Sequence, residues 1–567
     1  MTTNSEKEAL GKKLALDLLL VGSWNLSNLA VLLQKSASGS LSASCAPHGQ
    51  FMQTMLDPGT WNGGANGAVI WTTPDAAIGA FNRLVGGEVV SAEDIQGDVD
   101  SYCASILALP ASVKHIFVPT WVVGSDDAAM GPLDMDPKMG ASAALMRMNL
   151  RLADNLVRDP RVAVLDASRW VGRVGEKSFS ARLWYMSKTP YGTEFLKEAA
   201  AAILGAIDAR AGRARKLIVL DLDDTLWGGI VGDVGWQQLR LGGHDMVGEA
   251  YCDFQSALKA LKKRGILLAI VSKNEEATAL EAIRSSPEMI LRLDDFVAWR
   301  INWDDKAKNI LEIAKELNLG LQSVVFIDDN SAERDRVRAA LPELLVPEWP
   351  PNPLEYKSAL QRLRCFDQAQ ISAEDRERSA MYQSERQRSQ SAAQFQSVDD
   401  WLMTLDLKVA AEKVGKENLE RATQLFNKTN QMNLSTRRLT AQELLTCAED
   451  PGAEMLAFRV SDKFGDYGLV GLASVTVEKD RARIVDFILS CRVMGRKVEQ
   501  TILHALSGRA RARGAKSLVA EYLPTAKNQP CLALFKSIAP QSDGQSVFTF
   551  LLDEPYPKPA CVSLTMP

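Results

Sequence analysis

Short apolar runs alternate with amphipathic stretches along most of this chain, and that alternation predicts its architecture. In the first part, Leu18–Val21, Ile116–Val118 and Val162–Leu165 read as buried strands between helical stretches. The Ala-rich run Ala199–Ala209 predicts a helix that ends at Ala211-Gly212. Strand-then-helix order of this kind predicts an α/β layer fold. A second unit opens on the strand Leu217–Leu220, followed by a helix over Phe254–Lys263 that Gly265 stops, and a strand over Ile266–Val271. Glu275–Ile283 and Lys306–Leu317 predict helices and Val324–Ile327 a third strand. Helices crossing between strands imply a parallel, doubly wound (Rossmann-like) sheet. The stretch Pro347-Glu348-Trp349-Pro350-Pro351 marks its exit.

From about Ser372 to Ser391 charge, Gln and Ser dominate, which predicts an exposed linking helix, with disorder as the competing reading. A last unit alternates strands (Ala457–Val460, Leu469–Val477, Arg483–Leu489) with a helix over Val498–Arg513. The predicted division is therefore 1–211, 214–365, a linking helix over 366–404, and 405–567.

Composition narrows the classes. A chain of 567 residues is too long for one core. A net charge of −5 offers nothing to draw in a phosphate backbone, so general nucleic-acid binding is not expected. The eight cysteines (45, 103, 252, 365, 447, 491, 531 and 561) contain no CxxC pair, which fits reduced thiols better than a disulfide or metal framework. Asp17 interrupts the short apolar stretch near the N-terminus and Glu6 and Glu8 precede it, so no export signal is read. No run approaches the roughly 20 apolar residues that span a bilayer. A cytoplasmic protein without membrane partners is expected.

The sharpest chemical signal is Asp221-Leu222-Asp223-Asp224-Thr225, directly after Leu217–Leu220. Residues two apart at an extended strand end point the same way, and ligands of open α/β sheets bind just outside the carboxyl ends of strands. One carboxylate, Asp221, can then attack phosphorus while Asp223 protonates the leaving oxygen. Countercharge follows in order. Ser272 ends a strand and can bond a phosphate oxygen, as can Thr225. Lys306 opens a helix, where ammonium and helix N-terminus both favour an anion. Asp328 and Asp329 offer hard oxygens for Mg²⁺ beside Asp221 and the main-chain carbonyl of Asp223. An isolated DxDxT is as readily a solvated turn, but four pieces in order at strand ends and helix starts are not. The stretch 214–365 thus resembles the HAD superfamily. The interval from Thr225 to Phe254, with Trp227-Gly228-Gly229 and Gly242-Gly243, suits a hairpin flap and not a lid domain, which leaves the site open to bulky substrates.

A narrower resemblance rests on Asp221-Leu-Asp-Asp-Thr-Leu-Trp-Gly-Gly-Ile230, Ser272-Lys273-Asn274, Asn302-Trp303 before Lys306, and Phe326-Ile-Asp-Asp-Asn330 with Glu333. Phe426-Asn-Lys-Thr-Asn-Gln-Met-Asn433, Thr436-Arg437-Arg438, Asp462-Lys-Phe-Gly-Asp-Tyr-Gly468 and Ser490-Cys-Arg-Val-Met-Gly-Arg496 extend it. Over roughly 214 to 545 the chain resembles the FkbH-like family. The resemblance implies an enzyme that takes a glyceryl unit from 1,3-bisphosphoglycerate, removes phosphate, and loads the glyceryl group as a thioester on an acyl carrier protein. Polyketide-type pathways, including methoxymalonyl extender units, would be the setting. Loading needs a thiol, and Cys491 is the candidate, since Arg492 and Arg496 would favour its thiolate or hold the incoming phosphate. The bland alternative is a buried strand-end cysteine acting as a small hydrophobe.

The last unit is similar to GNAT acyltransferases, an α+β fold, with Arg492-Val-Met-Gly-Arg496 in the place of the pyrophosphate-binding turn. Lys497 stands where a small residue is more usual, so a carrier's pantetheine arm is expected there in place of free coenzyme A. Asn427, Asn430 and Asn433, with Arg437, would line that groove, or else form a structural turn. Asp462 and Asp466 flank Gly465 and also fit a plain hairpin. In the first unit, Gly22-Ser23-Trp24-Asn25 after a strand resembles the nucleophile turn of SGNH-type hydrolases, with Asp166 in a late block. None of His48, His115, His244 and His504 stands in a DxxH arrangement with Asp166, so a degenerate docking or scaffold domain is expected. Two other readings of the whole stay open: a stand-alone phosphatase on another phosphorylated metabolite or macromolecule, and a non-catalytic carrier-binding scaffold.

Overall fold

A computed structural model describes residues 16–567 apart from 38–40, 62–63, 125–130, 318, 369–387, 389–390, 392–394, 396, 430, 526–527, 540 and 543–545. It falls into two compact units, one of Met1–Leu261, Ser272–Ile290 and Asn302–Ser372, the other of Lys262–Val271, Leu291–Ile301 and Ala373–Pro567. Three sheets organise the chain.

The first is parallel, built from β1 (Leu16–Val21), β2 (Leu41–Cys45), β3 (Gly67–Ile70), β4 (His115–Pro119) and β5 (Val162–Leu165). Its order is β2-β1-β3-β4-β5, so the chain reverses direction across the sheet between β1 and β3. Both faces are covered. Leu19, Val21, Ala68, Ile70, Ile116 and Val118 enter one core and Leu18, Leu20, Val69 and Phe117 the other. That is why these strands read as unbroken apolar runs. Helices α1 (Ala92–Leu107) and α2 (Ala141–Leu156) contribute Val99, Ile106, Met148 and Leu152 to one core, and α3 (Thr193–Arg210) contributes Phe195, Ala199 and Ile203 to the other. Gly22 must be glycine for space: a Cβ there would lie 2.3 Å from the Trp71 carbonyl oxygen.

The second sheet has β6 (Leu217–Leu220), β7 (Leu267–Ser272), β8 (Ala298–Ile301) and β9 (Val324–Ile327) in the order β8-β7-β6-β9. β6 and β9 run parallel, register Leu220↔Ile327, which brings Asp221 and Asp328 to one edge. Every residue of β6, β7 and β9 is buried. The predicted helices are present as α4 (Met246–Lys263), α5 (Glu276–Ser285) and α6 (Lys306–Glu316), with α7 (Ser331–Ala340) after β9. Within the first unit α3 meets the segment 364–366: Arg173 bonds Glu198 at 3.0 Å and the Gln361 carbonyl at 3.0 Å, and a Cβ on Gly205 would lie 3.0 Å from that of Arg364.

The third sheet is mixed. Its strands are β10 (Leu407–Lys413), β11 (Met432–Asn433), β12 (Ala453–Asp462), β13 (Gly465–Glu478), β14 (Arg481–Leu489), β15 (Ser517–Glu521), β16 (Gln541–Ser542), β17 (Val547–Leu551) and β18 (Val562–Thr565). The order is β16-β17-β15-β14-β13-β12-β10-β18, with β11 on β14. On one side β14 changes partner along its length. Arg481–Ile484 pair in parallel with β15, whereas Ile488 and Leu489 pair with β11. β14 and β15 part beyond Ile484, and the segment after β14 leads through the short turn Cys491–Val493 into α9 (Val498–Ala512), α8 being Leu419–Lys428. The linking helix expected over 366–404 lies for the most part outside the described residues. Its described portion includes the short helix Val398–Met403.

Candidate active site

The chain leaves β6 through a tight turn. Asp224 takes φ +52°, its carboxylate accepts the Gly229 amide at 2.8 Å, and its carbonyl accepts the hydroxyls of Tyr251 (3.2 Å) and Tyr356 (3.0 Å). Asp tolerates this left-handed conformation better than most residues. The turn is thereby fixed with Asp221 before it and Asp223 inside it.

Asp221, Asp328 and Asp329 converge, each with a carboxylate oxygen within 4.8 Å of the others'. Lys306 answers two of them, its Nζ lying 2.8 Å from Asp221 Oδ2 and 2.6 Å from Asp328 Oδ2. Lys306 and Asp328 are almost wholly buried. The lysine sits at the first position of α6, capped by Asp305, whose carboxylate accepts the amides of Ala307 (2.8 Å) and Lys308 (3.3 Å). Burial alone would lower the Lys306 pKa, but Asp221 and Asp328 outweigh it and raise it. Burial and the Asp221 charge push Asp328 upward, against the pull of Lys306. Burial raises Asp329 as well.

Were all three carboxylates ionised, one ammonium would leave two negative charges uncompensated. At an effective dielectric of about 20, each like-charged pair near 4.8 Å costs roughly 3–4 kcal/mol. Among the described residues, Asp221 Oδ1 is buried and has no hydrogen-bond partner, a costly state for a carboxylate oxygen. Charge and orphaned oxygen together fit a divalent cation held by hard oxygen ligands.

Asp223 is set apart from that cluster. Its Oδ1 accepts the indole N–H of Trp227 (2.9 Å) and the Val231 amide (3.1 Å), and its Oδ2 the side-chain amide of Asn274 (2.8 Å). Burial still raises its pKa, against these three donors. A carboxyl raised in this way holds and returns a proton more readily than an ordinary carboxylate. Sequence reasoning assigned no role to Trp227 or Asn274; neither has a periodic or charge signature, and only the fold shows what they touch. Ser272 closes β7, buried, with its carbonyl accepting the Asn302 amide at 3.1 Å. Thr225, expected at the phosphate, donates to Asp329 Oδ1 (3.0 Å) and accepts the Asp329 amide (3.1 Å), so its hydroxyl orients an acid. Arg334 fixes the same loop from behind through the carbonyls of Asp328 (2.8 Å) and Asp329 (2.6 Å). The flap is the expected hairpin-like excursion, with Gly228 and Arg240 paired antiparallel.

The C-terminal candidates are dispersed among structural tasks. The side chain of Cys491 and the whole of Asn430 lie outside the described residues; the Cys491 backbone opens the turn after β14. Arg492 Nε donates to Ser490 Oγ at 3.2 Å. Arg496 is buried and donates to the Tyr467 hydroxyl, which donates to Asp462 Oδ2 at 2.8 Å. Asp462 also takes both arms of Arg388 (2.7 and 2.8 Å) and the amides of Phe464 and Gly465, so it is the hairpin turn residue. Asn427 exchanges two bonds with the Leu439 backbone, and Asn433 bonds the Thr429 carbonyl and Thr436 amide. These bonds stitch the two into a turn. Arg437 is paired with buried Asp486 at 2.8 and 2.5 Å. The Gly495 amide, part of the turn resembling a pyrophosphate loop, donates to the buried Glu499 carboxylate at 2.6 Å. Elsewhere, burial pushes the Cys365 and Cys531 thiols up to about 12, which fits inert packing.

Ser23 and Asp166 each bond local neighbours. Ser23 Oγ lies 3.2 Å from Thr73 Oγ1 and accepts the Thr73 amide at 2.8 Å. Asp166 caps its own turn, accepting the amide (3.0 Å) and hydroxyl (2.5 Å) of Ser168.

No protein-family model matches this chain, and no curated protein matches it. Among solved structures, it is similar to the N-terminal part of the protein BF1531 from Bacteroides fragilis, containing a phosphatase domain and complexed with Mg. The identity is 26%, the match covers 65% of this chain and 100% of that one, and the TM-score is 0.56. Matches also include the ribosomal-protein-S18-alanine N-acetyltransferase from Escherichia coli at 13% identity, covering 26% of this chain and 95% of that one, with a TM-score of 0.20. The PaiA N-acetyltransferase from Thermoplasma acidophilum, in complex with coenzyme A, matches at 11% identity, covering 25% and 98%, with a TM-score of 0.21. Among the described residues, no helix is long and apolar enough to cross a membrane.

Proposed function

We propose that the chain is a Mg²⁺-dependent phosphatase that uses Asp221 as nucleophile and Asp223 as acid and base. The observation that carries this is a buried Asp221, its Oδ2 bonded by Lys306 and its Oδ1 without a partner among the described residues, beside Asp328 and Asp329, while Asp223 is held separately by three donors. Similarity to a phosphatase domain complexed with Mg supports it. An Asp221 oxygen attacks phosphorus, an O–P bond forms, and the bond to the leaving oxygen breaks as Asp223 gives that oxygen its proton. Asp223 then takes a proton from the water that attacks the aspartyl-phosphate, and inorganic phosphate leaves with Asp221 restored. Asp221, Asp328, Asp329 and the Asp223 carbonyl would hold Mg²⁺, which supplies positive charge against the phosphate oxygens. Lys306 keeps Asp221 aimed through its 2.8 Å bond to Oδ2.

The finer reading extends this to glyceryl transfer from 1,3-bisphosphoglycerate to an acyl carrier protein. The Cys491 thiolate would displace the C1 phosphate, forming a thioester, and the carrier's pantetheine thiol would then displace Cys491. The phosphatase site would remove the C3 phosphate. The FkbH-like motifs on both sides of the chain support it, and an uncapped site suits a tethered substrate. The first unit would then serve as a degenerate SGNH-like docking domain. Intact-protein mass spectrometry with 1,3-bisphosphoglycerate, Mg²⁺ and a carrier tests it: a glyceryl adduct on the enzyme and then on the carrier, both lost in Cys491→Ala. Carrier loading undiminished in Cys491→Ala would rule it out.

A phosphatase acting without acyl transfer is the second reading. It is favoured by the internal bonds of Asn427, Asn433, Arg437 and Glu499, which commit the would-be groove to structure.

A further inference from the structure

The bonds around Asp223 are divided unevenly between its two oxygens. Oδ1 accepts two N–H groups, the Trp227 indole at 2.9 Å and the Val231 amide at 3.1 Å. Oδ2 accepts one, from Asn274 Nδ2 at 2.8 Å. An ionised carboxylate only accepts, and each of its oxygens has about two lone-pair directions. Among the described residues Oδ1 is therefore filled, and Oδ2 keeps one direction open. A proton reaching Oδ1 would displace a bonded N–H, whereas Oδ2 can take one with all three bonds still made.

The donors come from two segments. Trp227 and Val231 belong to the flap, where Val231 opens the short helix Val231–Val234. The backbone on either side of Trp227 is fixed: Gln255 Nε2 donates to the Leu226 carbonyl at 2.8 Å, and the Asp224 carboxylate accepts the Gly229 amide. Asn274 belongs to the turn between β7 and α5. Both side chains are buried, so packing holds each donor in one place. The terminal torsion of an aspartate is broad when nothing restrains it; bonds to both oxygens from two segments remove that freedom.

We infer that Trp227 and Asn274 are positioning residues for proton transfer, holding the Asp223 carboxylate so that Oδ2 is the atom that carries the proton. This rests on the phosphatase reading of the preceding section and deepens it to the level of one atom. In the first half-reaction the Oδ2–H bond breaks as the leaving oxygen parts from phosphorus, and that oxygen gains the proton. In the second, water attacks the aspartyl-phosphate, its proton passes to Oδ2, and the bond between Asp221 and phosphorus breaks. Asp223 ends as it began. Positioned acid–base groups contribute about 10²–10⁴-fold to a rate, and a small misplacement forfeits much of it.

The test uses the full chain with Mg²⁺ and two substrates, glycerol 3-phosphate and 4-nitrophenyl phosphate. An alkoxide needs a proton in order to leave; a 4-nitrophenolate does not. Trp227→Phe keeps a ring and removes the N–H, and Asn274→Ala removes the amide. Each should lower kcat for glycerol 3-phosphate by about 10–100-fold. The initial burst of 4-nitrophenolate should slow by no more than about threefold, followed by slow turnover because water attack still needs the base. A misfolded fraction would lower both substrates by one factor, so the difference between them survives imperfect folding. In an Asp223→Ala background neither substitution should change kcat by more than about twofold, since a residue acting through Asp223 has nothing left to act on. Equal losses on both substrates, or a further loss of about tenfold in the Asp223→Ala background, would overturn the positioning role alone. If wild type releases phosphate from neither substrate faster than Asp221→Asn, the phosphatase reading fails and the positioning role falls with it.

Discussion

Lys306 is the residue on which the site's electrostatics turn. Among the described residues it is the one cation bonded to both Asp221 and Asp328, in a place where an unpaired carboxylate is costly. Lys306→Met should therefore destabilise the fold near neutral pH by about 3–5 kcal/mol, read by urea denaturation. The loss should shrink as pH falls, because Asp328 is already raised and protonation removes the buried charge that Lys306 had balanced. A loss independent of pH would point to packing instead. At this scale much was legible in sequence. Asp221, Lys306, Asp328 and Asp329 follow strand ends or open a helix, and the parallel sheet brings them together, with Asp223 held apart just beyond β6. Thr225 was legible as a neighbour of the acids, but its bond to Asp329 was not, because which oxygen a hydroxyl meets depends on a loop arriving from 104 residues away. Trp227 and Asn274 bond Asp223 only through the folded flap and the β7–α5 turn.

Elements were legible where apolar runs were long. β6, β7 and β9 appear within a residue of their predicted bounds, since buried parallel strands carry unbroken apolar sequence. β2 (Leu-Ser-Ala-Ser-Cys) and β8 (Ala-Trp-Arg-Ile) were not, because polar residues interrupt them. The first sheet depends on a close approach after β1. Gly22→Ala would press a methyl group into the Trp71 carbonyl and should cost about 1–3 kcal/mol, visible as a lowered thermal midpoint; an unchanged midpoint would show that the turn can yield. Between α1 and α2, Asp100 accepts both arms of Arg151 (2.7 and 2.8 Å) and the Asn155 amide. The Arg151 guanidinium, with Asn155, lowers Asp100 to about 2. A depressed carboxylate stabilises the fold above its unfolded pKa of about 3.9 and loses that contribution as pH falls through about 2. Asp100→Asn should thus flatten acid unfolding slightly over that interval, and only slightly, since the pair is well exposed.

For the whole molecule, one phosphoryl centre accounts for the charge, burial and hydrogen bonding at the carboxyl end of β6. The C-terminal sheet carries an acyl-transfer reading that its described side chains leave to Cys491. The central claim is that Asp221 is a nucleophile served by a divalent cation. The direct measurement is single-turnover phosphate release from a phosphorylated substrate, with and without Mg²⁺, in wild type and Asp221→Asn. The account predicts release from wild type that stops on chelation and returns with Mg²⁺, together with an acid-stable, base-labile phosphoenzyme of +80 Da as a transient, roughly the mass of one added phosphoryl group. It predicts neither in Asp221→Asn. Phosphate release by Asp221→Asn at the wild-type rate would contradict it.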